Sequence, residues 1–293
     1  MRKADPALTP FAPSPQAWGA GEGGEGGFDA LAATYDAAFT QTPLGRRLRA
    51  RVWACLERHF RPGQHILELG CGTGEDAVWL AQRGIRVTAT DASVEMLAVA
   101  ERKAARAGVA GRVVTRQLAL EALAEADFEQ VFDGLLSDFG ALNCVAPEVI
   151  ARTLGRWVRP GGRAVLVVMG PCCPWEIAWF LLHGHPRTAL RRLRPGGVTA
   201  EVGGQKLRVF YPSPGRLARM LAPEFRLLRL WGLGVALPTT DAASLVNRRP
   251  GLLDRLDRLE ARLAGVFPFR LLGDHYVLEL ERLSTDSGNG LNG

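Results

Sequence analysis

The sequence predicts an α/β fold in which helices cover both faces of a doubly wound, mostly parallel sheet. Short apolar segments, such as 65–69 and 163–169, alternate with segments of helical periodicity, such as 93–107. A short apolar run bounded by glycine or polar residues is typical of a strand buried on both faces. Because crossovers between parallel strands are right-handed, successive helices can cover both faces of one sheet.

The expected elements alternate regularly as far as the fifth strand and less regularly beyond it. Gly203-Gly204 separates two strand-like segments and predicts a hairpin. The helices are expected at residues 28–39, 44–59, 76–83, 93–107, 147–158, 175–194, 214–221 and 252–263. The strands are expected at residues 65–69, 86–90, 112–118, 132–137, 163–169, 198–202, 206–211, 226–233 and 275–283.

Composition restricts the class of protein. A chain of 293 residues, 47% of them hydrophobic, is long enough for one large domain with a buried core. No apolar run approaches the ~20 residues of a membrane span, and the first residues lack a signal-peptide core, so we expect a cytoplasmic protein. The five cysteines fit no zinc or disulfide spacing, which favours reduced thiols and no metal site.

The net charge of +6 raises the question of an anionic partner. Basic residues concentrate in two runs, 46–51 and 187–194. Each run has apolar residues at helical spacing, so we interpret each as the solvated face of an amphipathic helix. Nucleic acid is therefore not the expected partner.

The two ends of the chain differ in composition from the rest. Residues 1–27 are rich in proline, glycine and alanine and show no apolar periodicity. We predict that they are disordered, as are residues 284–293. One folded domain is expected between them, over residues 28–283.

The strongest chemical signal is a glycine-rich loop directly after the predicted strand at 65–69. Residues 70–74 read Gly-Cys-Gly-Thr-Gly, and a helix follows. Glycine at alternate positions lets the main chain turn tightly and lets a ligand approach it. The dinucleotide fingerprint would need glycine where this chain has Glu75. The observed spacing suits S-adenosylmethionine, which has no pyrophosphate for a helix N-terminus to hold.

An acidic residue ends the next predicted strand. Asp91 follows residues 86–90, at the place where nucleotide-binding α/β sheets put a carboxylate that accepts hydrogen bonds from ribose hydroxyls. The alternative is that Asp91 only caps the following helix. Its position after a strand, next to the glycine loop, favours the ribose contact.

These residues resemble the class I S-adenosylmethionine-dependent methyltransferase family. The most specific motif is Glu68-x-Gly70-x-Gly72-x-Gly74 combined with Asp91. The resemblance implies a Rossmann-like, doubly wound, mostly parallel seven-stranded sheet with an antiparallel last strand, N-terminal lid helices and a small insertion after strand five.

The likeness extends over residues 28–169 and implies a division of the whole methyltransferase domain. The parts would be lid helices at 28–60, a cofactor-binding core at 61–170, a substrate-side insertion at 171–213 and a C-terminal core at 214–283.

The resemblance also implies contacts with S-adenosylmethionine. Glu68, Gly70 and Gly72 would lie at its methionine end, with Tyr35 of the lid above, and Gly74 would be structural. Residues that follow the other strands would contact the ribose, the adenine and the transferable methyl group. The full expected set is Tyr35, Glu68, Gly70, Cys71, Gly72, Gly74, Asp91, Ala92, Met96, Leu120, Glu121, Ser137 and Phe139.

One position departs from the family pattern. Members often carry an aspartate after strand three that binds the adenine amine, and this chain has Ala119 there. Glu121, or main-chain groups at Leu120, would then make the adenine contact.

The methyl acceptor leaves a weaker signal, because the sulfonium is already electrophilic and a base is needed only if the acceptor must lose a proton. In the family the last strand begins at the active-site edge, so His275 could be a general base oriented by Asp274. A structural histidine is the alternative. Residues 174–182 are aromatic and aliphatic, which indicates either a hydrophobic acceptor pocket or core packing.

The expected function is therefore methyl transfer to an O, N or C atom of a small, fairly apolar metabolite. Two alternatives stay open: an RNA-directed methyltransferase, which rests on the arginine excess, and a non-catalytic cofactor-binding protein, which rests on Ala119. The oligomeric state does not follow from the sequence.

Overall fold

The computed structural model describes residues 27–284. The segments predicted to be disordered, 1–27 and 284–293, lie outside this range except for Gly27 and Ser284 at their inner ends. Within residues 27–284, no helix combines the length and apolar character that crossing a bilayer requires.

A seven-stranded sheet forms the centre of the fold, and a two-stranded hairpin lies apart from it. The strands are β1 His65–Leu69, β2 Arg86–Asp91, β3 Val113–Gln117, β4 Phe132–Ser137, β5 Val158–Met169, β6 Val198–Val202, β7 Gln205–Val209, β8 Phe225–Leu233 and β9 His275–Arg282. In the large sheet the order is β3-β2-β1-β4-β5-β9-β8. Only β9 runs antiparallel to its neighbours, β5 and β8. The predicted fold class is confirmed.

Helices connect the strands and begin at the expected signals. They are α1 Pro43–His59, α2 Glu75–Gln82, α3 Val94–Arg106, α4 Pro147–Trp157, α5 Pro174–Leu182, α6 Pro186–Ala189, α7 Pro214–Leu221, α8 Ser244–Asn247 and α9 Pro250–Leu263. The Thr42 hydroxyl accepts from the Gly45 N–H at 3.0 Å and starts α1, and the Ser93 hydroxyl accepts from the Met96 N–H at 3.0 Å and starts α3. Side-chain caps of this kind satisfy N–H groups that have no partner inside the helix.

Side chains alternate between the two faces of the sheet along each strand, and this produces two apolar cores. Ile66 and Val165 belong to one cluster, with residues of α1, α2 and α9, whereas their neighbours Leu67 and Leu166 belong to another, with residues of α4 and α7. Successive side chains of a strand point to opposite faces, so these strands are buried on both sides. The sheet is therefore doubly wound.

Two predicted helices are broken in the structure. The helix expected at 28–39 is a 3-10 turn at Asp29–Leu31 followed by a π-helix at Asp36–Thr40. The helix expected at 175–194 ends in α5 and resumes as α6, because Gly184 has a φ of +79° and Pro186 has no N–H to continue the helix.

The interpretation of the two basic runs is wrong for three of their arginines. Arg49, Arg191 and Arg192 are 5%, 4% and 5% exposed, so these side chains are not solvated. Each pairs with a buried carboxylate of another element, which compensates the cost of its burial.

The hairpin β6–β7 folds back over the N-terminal lid. Its Val202 packs with Leu31, Ala32 and Met96, and the Gly27 N–H donates to the Gly203 carbonyl at 3.3 Å. The hairpin thus closes one side of the space above the glycine loop.

Candidate functional site

The glycine loop after β1 is fixed to the end of β2. The N–H groups of Gly70 and Cys71 both donate to the carbonyl of Thr90 at 2.8 Å. Gly70 and Gly74 have φ of +72°, and a Cβ at either position would overlap the methyl group of Ala141 or Ala100. Only glycine satisfies both the backbone conformation and the close packing.

Asp91 links the loop to the start of α3. One carboxylate oxygen accepts from the Gly72 N–H and the other from the Ser93 N–H, both at 2.9 Å. Burial raises the pKa of Asp91 above its ordinary range, although the two N–H groups oppose this shift. The cap of α3 is Ser93 and not Asp91, so the carboxylate is not used as a helix cap.

A cavity of about 250 Å³ lies above the loop, among residues that follow β1, β2, β3 and β4. The carboxyl ends of parallel strands are where α/β sheets bind ligands. The lid and the hairpin complete its wall with Phe28, Gln205 and Leu207. The predicted residues that line it are Tyr35, Gly70, Cys71, Gly72, Asp91, Ala92, Met96, Leu120, Glu121 and Phe139.

Three predicted residues do not line this cavity. Gly74 packs against α3, and the buried Ser137 hydroxyl donates to the Leu69 carbonyl at 2.8 Å, which fastens β4 to β1. Glu68 is 1% exposed, and neither of its carboxylate oxygens makes a hydrogen bond within the described part of the chain. A buried carboxylate without partners is costly and marks a place where a ligand group can be bound.

A group of charged residues at the cavity was not predicted. The Arg49 guanidinium forms an ion pair with Asp76 and lies 3.4 Å from Asp138, and all three residues line the cavity. Arg49 also lies over the ring of Phe139, 4.7 Å from its centroid. Carboxylate oxygens of Glu68, Asp76 and Asp138 lie within 4.8 Å of one another. One arginine therefore faces three carboxyl groups.

The carboxyl groups of this cluster differ in charge. Burial opposes ionisation of Asp76, but Arg49 and the indole N–H of Trp53, at 2.6 Å, hold its pKa below the ordinary range. Burial and the negative charge of Asp76 raise the pKa values of Glu68 and Asp138 well above that range. Burial and neighbouring charge thus favour the neutral forms of Glu68 and Asp138, whereas Arg49 and Trp53 favour the ionised form of Asp76.

The lid is held closed over the loop by polar contacts. The Thr73 hydroxyl donates to the Asp36 carboxylate at 2.6 Å, and the Lys103 ammonium lies 2.8 Å from the same carboxylate. These contacts place the adjacent Tyr35 in the cavity wall.

The family comparison concerns the part of the chain that carries this loop. Residues 66–162 match the model of the family described as Methyltransferase domain. The match contains the glycine loop, Asp91 and nearly all of strands β1 to β4, which run parallel to one another in the sheet. The chain thus contains a methyltransferase domain over residues 66–162.

Curated relatives of the methyltransferase domain resemble about half of this chain. A demethylmenaquinone methyltransferase from Mycolicibacterium paratuberculosis is 35% identical over 142 residues, which are 47% of this chain and 56% of the relative. The ubiquinone/menaquinone biosynthesis C-methyltransferase UbiE from Geotalea daltonii is 29% identical over 143 residues, 48% of this chain and 60% of the relative. The chain thus spans little more than half the length of the curated relatives it matches.

Solved structures extend the likeness of the methyltransferase domain to more of the chain. The methyltransferase CcbJ from Streptomyces caelestis has a TM-score of 0.53 and 18% identity, over 87% of this chain and 96% of the other. Geranyl diphosphate C-methyltransferase from Streptomyces coelicolor has a TM-score of 0.53 and 13% identity, over 94% and 86%. At these identities the likeness is one of fold.

The two predicted catalytic residues lie side by side next to the cavity wall. His275 Nδ1 is 3.3 Å from the Asp274 carboxylate, and its ring lies 5.8 Å from the ring of Phe139, which lines the cavity. Burial opposes ionisation of Asp274, but His275 and Arg192 lower its pKa below the ordinary range. A charged Asp274 next to Nδ1 favours the tautomer that carries its proton on Nδ1.

A buried ion-pair network supports Asp274. Arg192 donates to the Asp274 carboxylate at 2.7 Å and to its carbonyl at 2.9 Å, and its Nε donates to Glu176 at 2.9 Å. Glu176 also accepts from Arg191 at 3.0 Å. The network connects α5 and the 3-10 turn after α6 to the start of β9.

Proposed function

We propose that the protein transfers a methyl group from S-adenosylmethionine to an O, N or C atom of a small, fairly apolar metabolite. The observation that carries the proposal is the cavity above the glycine loop. Main-chain groups of Gly70 and Gly72 face it, and the carboxylate of Asp91 lies in its wall.

The residues present fit the cofactor on chemical grounds. Its methionine end carries an ammonium and a carboxylate. The guanidinium of Arg49, whose buried Nε makes no hydrogen bond in the described residues, lines the cavity. The unpartnered carboxyl group of Glu68 is buried next to Asp76 and Asp138, whose carboxylates line it. A Cβ at Gly72 would meet no protein atom within 4 Å, so bare main chain borders open space there. The charge and shape of the cavity are those that such a ligand needs.

Each part of the cofactor has candidate partners in the cavity wall. The two oxygens of Asp91 would accept hydrogen bonds from the ribose hydroxyls. Met96 and Leu120 would pack on the adenine, and Glu121 would accept from its amine in place of the aspartate that is missing at Ala119.

The methionine end would be held by charges of both signs. Glu68 and Asp138 would accept from its ammonium, and Arg49 would donate to its carboxylate. An incoming cation favours the ionised forms of both carboxyl groups, which reverses the effect of burial on their pKa values.

The bound cofactor supplies an electrophilic methyl group on a sulfonium. The aromatic side chains of Tyr35 and Phe139 exclude water from this end of the cavity and align the acceptor. For an acceptor that must lose a proton, Nε2 of His275 would take it, with Asp274 fixing the ring. This role needs the acceptor to lie on the side of Phe139 that faces His275.

An apolar acceptor is supported by both the cavity and the relatives. Phe28 and Leu207 add apolar side chains to the wall, and the curated relatives are named for the methylation of demethylmenaquinone. The RNA-directed alternative has lost support, because Arg49, Arg191 and Arg192 are buried in ion pairs rather than presented to a partner.

Two measurements test the proposal. We expect purified protein to bind S-adenosylhomocysteine in a calorimetric titration and to transfer a labelled methyl group to at least one member of a panel of apolar hydroxy, amino and quinone acceptors. Absence of S-adenosylhomocysteine binding would refute the cofactor assignment. Binding with transfer only to RNA, or to none of the acceptors, would refute the substrate class.

A further inference from the structure

The insertion after β5 carries an unusual number of exposed leucines on its outer surface. Leu181 and Leu182 end α5 and are 51% and 85% exposed, and Leu190 and Leu193 flank the turn that follows α6 and are 49% and 54% exposed. We call these four residues the leucine surface. Single exposed leucines are normal, but four exposed leucines within residues 181–193 concentrate apolar surface in one short segment.

Sequence spacing places these side chains on common faces. Leu181 and Leu182 follow the exposed Ala178 by three and four positions, which puts all three on one side of α5. Leu190 and Leu193 are three residues apart across a 3-10 turn, in which side chains at that spacing eclipse each other. The leucines are therefore presented outward rather than scattered around the helices.

The leucine surface is also cationic. Residues 177–200 contain no aspartate or glutamate. Arg187 and Arg194 are exposed beside the leucines, as are His183 and His185, whereas the buried Arg192 of the same segment points to Glu176. The segment thus separates its inward-facing ion pairs from an outer face that combines leucine and positive charge.

Two exposed leucines of α9 lie in a different electrostatic setting. Leu252 and Leu259 are 37% and 41% exposed on α9, but α9 also carries Asp254 and Asp257, which pair with arginines of α1. That helix alternates positive and negative side chains, so it lacks the uniform charge of the leucine surface.

The combination of exposed leucines and positive charge favours one kind of binding partner over the others. A second copy of this chain would bring two cationic faces together, and their repulsion opposes association. A nucleic acid would neutralise the arginines but leave the leucines in contact with water. An anionic lipid bilayer offers phosphates for the arginines and an acyl boundary for the leucines.

We propose that residues 177–196 dock the protein on the surface of an anionic bilayer. The leucine surface enters the headgroup boundary, and Arg187 and Arg194 pair with lipid phosphates. The docking segment begins within α5, and its Arg192 contacts Asp274, the neighbour of His275. Docking is independent of the proposed function, since it requires neither cofactor nor methyl transfer.

The test is co-sedimentation of the full chain with lipid vesicles. We expect binding to vesicles that contain phosphatidylglycerol, weaker binding to phosphatidylcholine alone, and a loss of binding at high salt. Leu181→Ser/Leu182→Ser and Arg187→Glu/Arg194→Glu should each weaken binding by at least about tenfold. Because all four side chains are exposed, the variants should unfold at the wild-type temperature.

The matched control is Leu252→Ser/Leu259→Ser, which removes two exposed leucines from α9 and should leave vesicle binding unchanged. Failure of the wild type to bind anionic vesicles would overturn the proposal, and so would equal binding by the surface variants and the control. A dimer that the Leu181→Ser/Leu182→Ser variant abolishes, seen by light scattering, would assign the surface to self-association instead. Tighter binding to RNA than to anionic vesicles would likewise overturn it.

Discussion

The N–H of Gly72 donates to the carboxylate of Asp91 at 2.9 Å, so the glycine loop and the end of β2 are joined before a ligand is bound. The same carboxylate lies in the cavity wall. The hydrogen bond from Gly72 thus fixes the position of the Asp91 carboxylate, so no side-chain ordering is required when a ligand binds. Preorganisation of this kind reduces the entropic cost of binding.

The first prediction concerns Asp91. Asp91→Ala removes the proposed partner of both ribose hydroxyls, and we expect S-adenosylhomocysteine affinity to fall roughly 10- to 100-fold, as for the loss of one or two charge-assisted hydrogen bonds. Calorimetry measures this change. Glu95→Ala, an exposed carboxylate near the start of α3, is the control and should bind as the wild type does. Equal affinities of the two variants would remove Asp91 from the site.

The second prediction concerns Gly74. Gly74→Ala adds a Cβ that overlaps Ala100 in a left-handed backbone conformation, and we expect a loss of roughly 2–4 kcal/mol in the free energy of unfolding. Gly63→Ala has the same backbone strain, at φ +87°, but meets no atom within 4 Å, so it should cost only about 1–2 kcal/mol. Denaturant titration separates the two. Equal costs would show that packing on α3 does not constrain the loop.

The third prediction is a pH dependence from Glu68. Its pKa is raised in the folded state, so the carboxyl group stays protonated while the unfolded chain ionises as pH rises above the ordinary range. Folding stability in the absence of ligand therefore falls with rising pH through this window. Glu68→Gln removes the ionisation and keeps the shape.

Thermal unfolding of both proteins checks the sign. We expect the unfolding temperature of Glu68→Gln to exceed that of the wild type by a margin that grows as the pH rises above the ordinary pKa of a glutamate. A margin that is constant, or that shrinks with pH, would mean that Glu68 is ionised in the folded protein.

The fourth prediction concerns the buried network of the insertion. Arg192→Met leaves the carboxylates of Glu176 and Asp274 without their shared cation, and we expect a loss of roughly 3–5 kcal/mol in stability. Arg194→Met, two positions along the same basic run but exposed, should change stability by less than about 0.5 kcal/mol. Chemical denaturation measures both. Similar values would contradict the burial of Arg192.

The fifth prediction concerns His275. For an acceptor methylated at a hydroxyl group, His275→Gln should lower kcat about 100-fold or more, the usual contribution of a general base, and should leave S-adenosylhomocysteine affinity unchanged. The exposed His183 provides the control His183→Gln. An unchanged kcat, with an unchanged pH profile, would make His275 a structural residue.

Local sequence was sufficient to locate those candidate site residues that lie close together along the chain. The loop at 70–74 and Asp91 could be located because strand, glycine spacing and acidic residue follow one another directly. The break between α5 and α6 was missed although Gly184 and Pro186 signal it, because the apolar periodicity on both sides masked the interruption.

The sequence by itself determined the alternation of apolar strands with helices and the position of the glycine loop. These two features were enough to predict the fold class and the family resemblance, because they depend on periodicity and on backbone conformations that few residues adopt. Only the tertiary structure decided the state of the charged residues. Arg49 looks like a surface arginine in its run, yet the fold buries it between Asp76 and Asp138, which are remote in sequence. Whether a charge is solvated or paired depends on elements that meet only after folding, because the cost of burial is offset by whichever opposite charge the fold brings within reach.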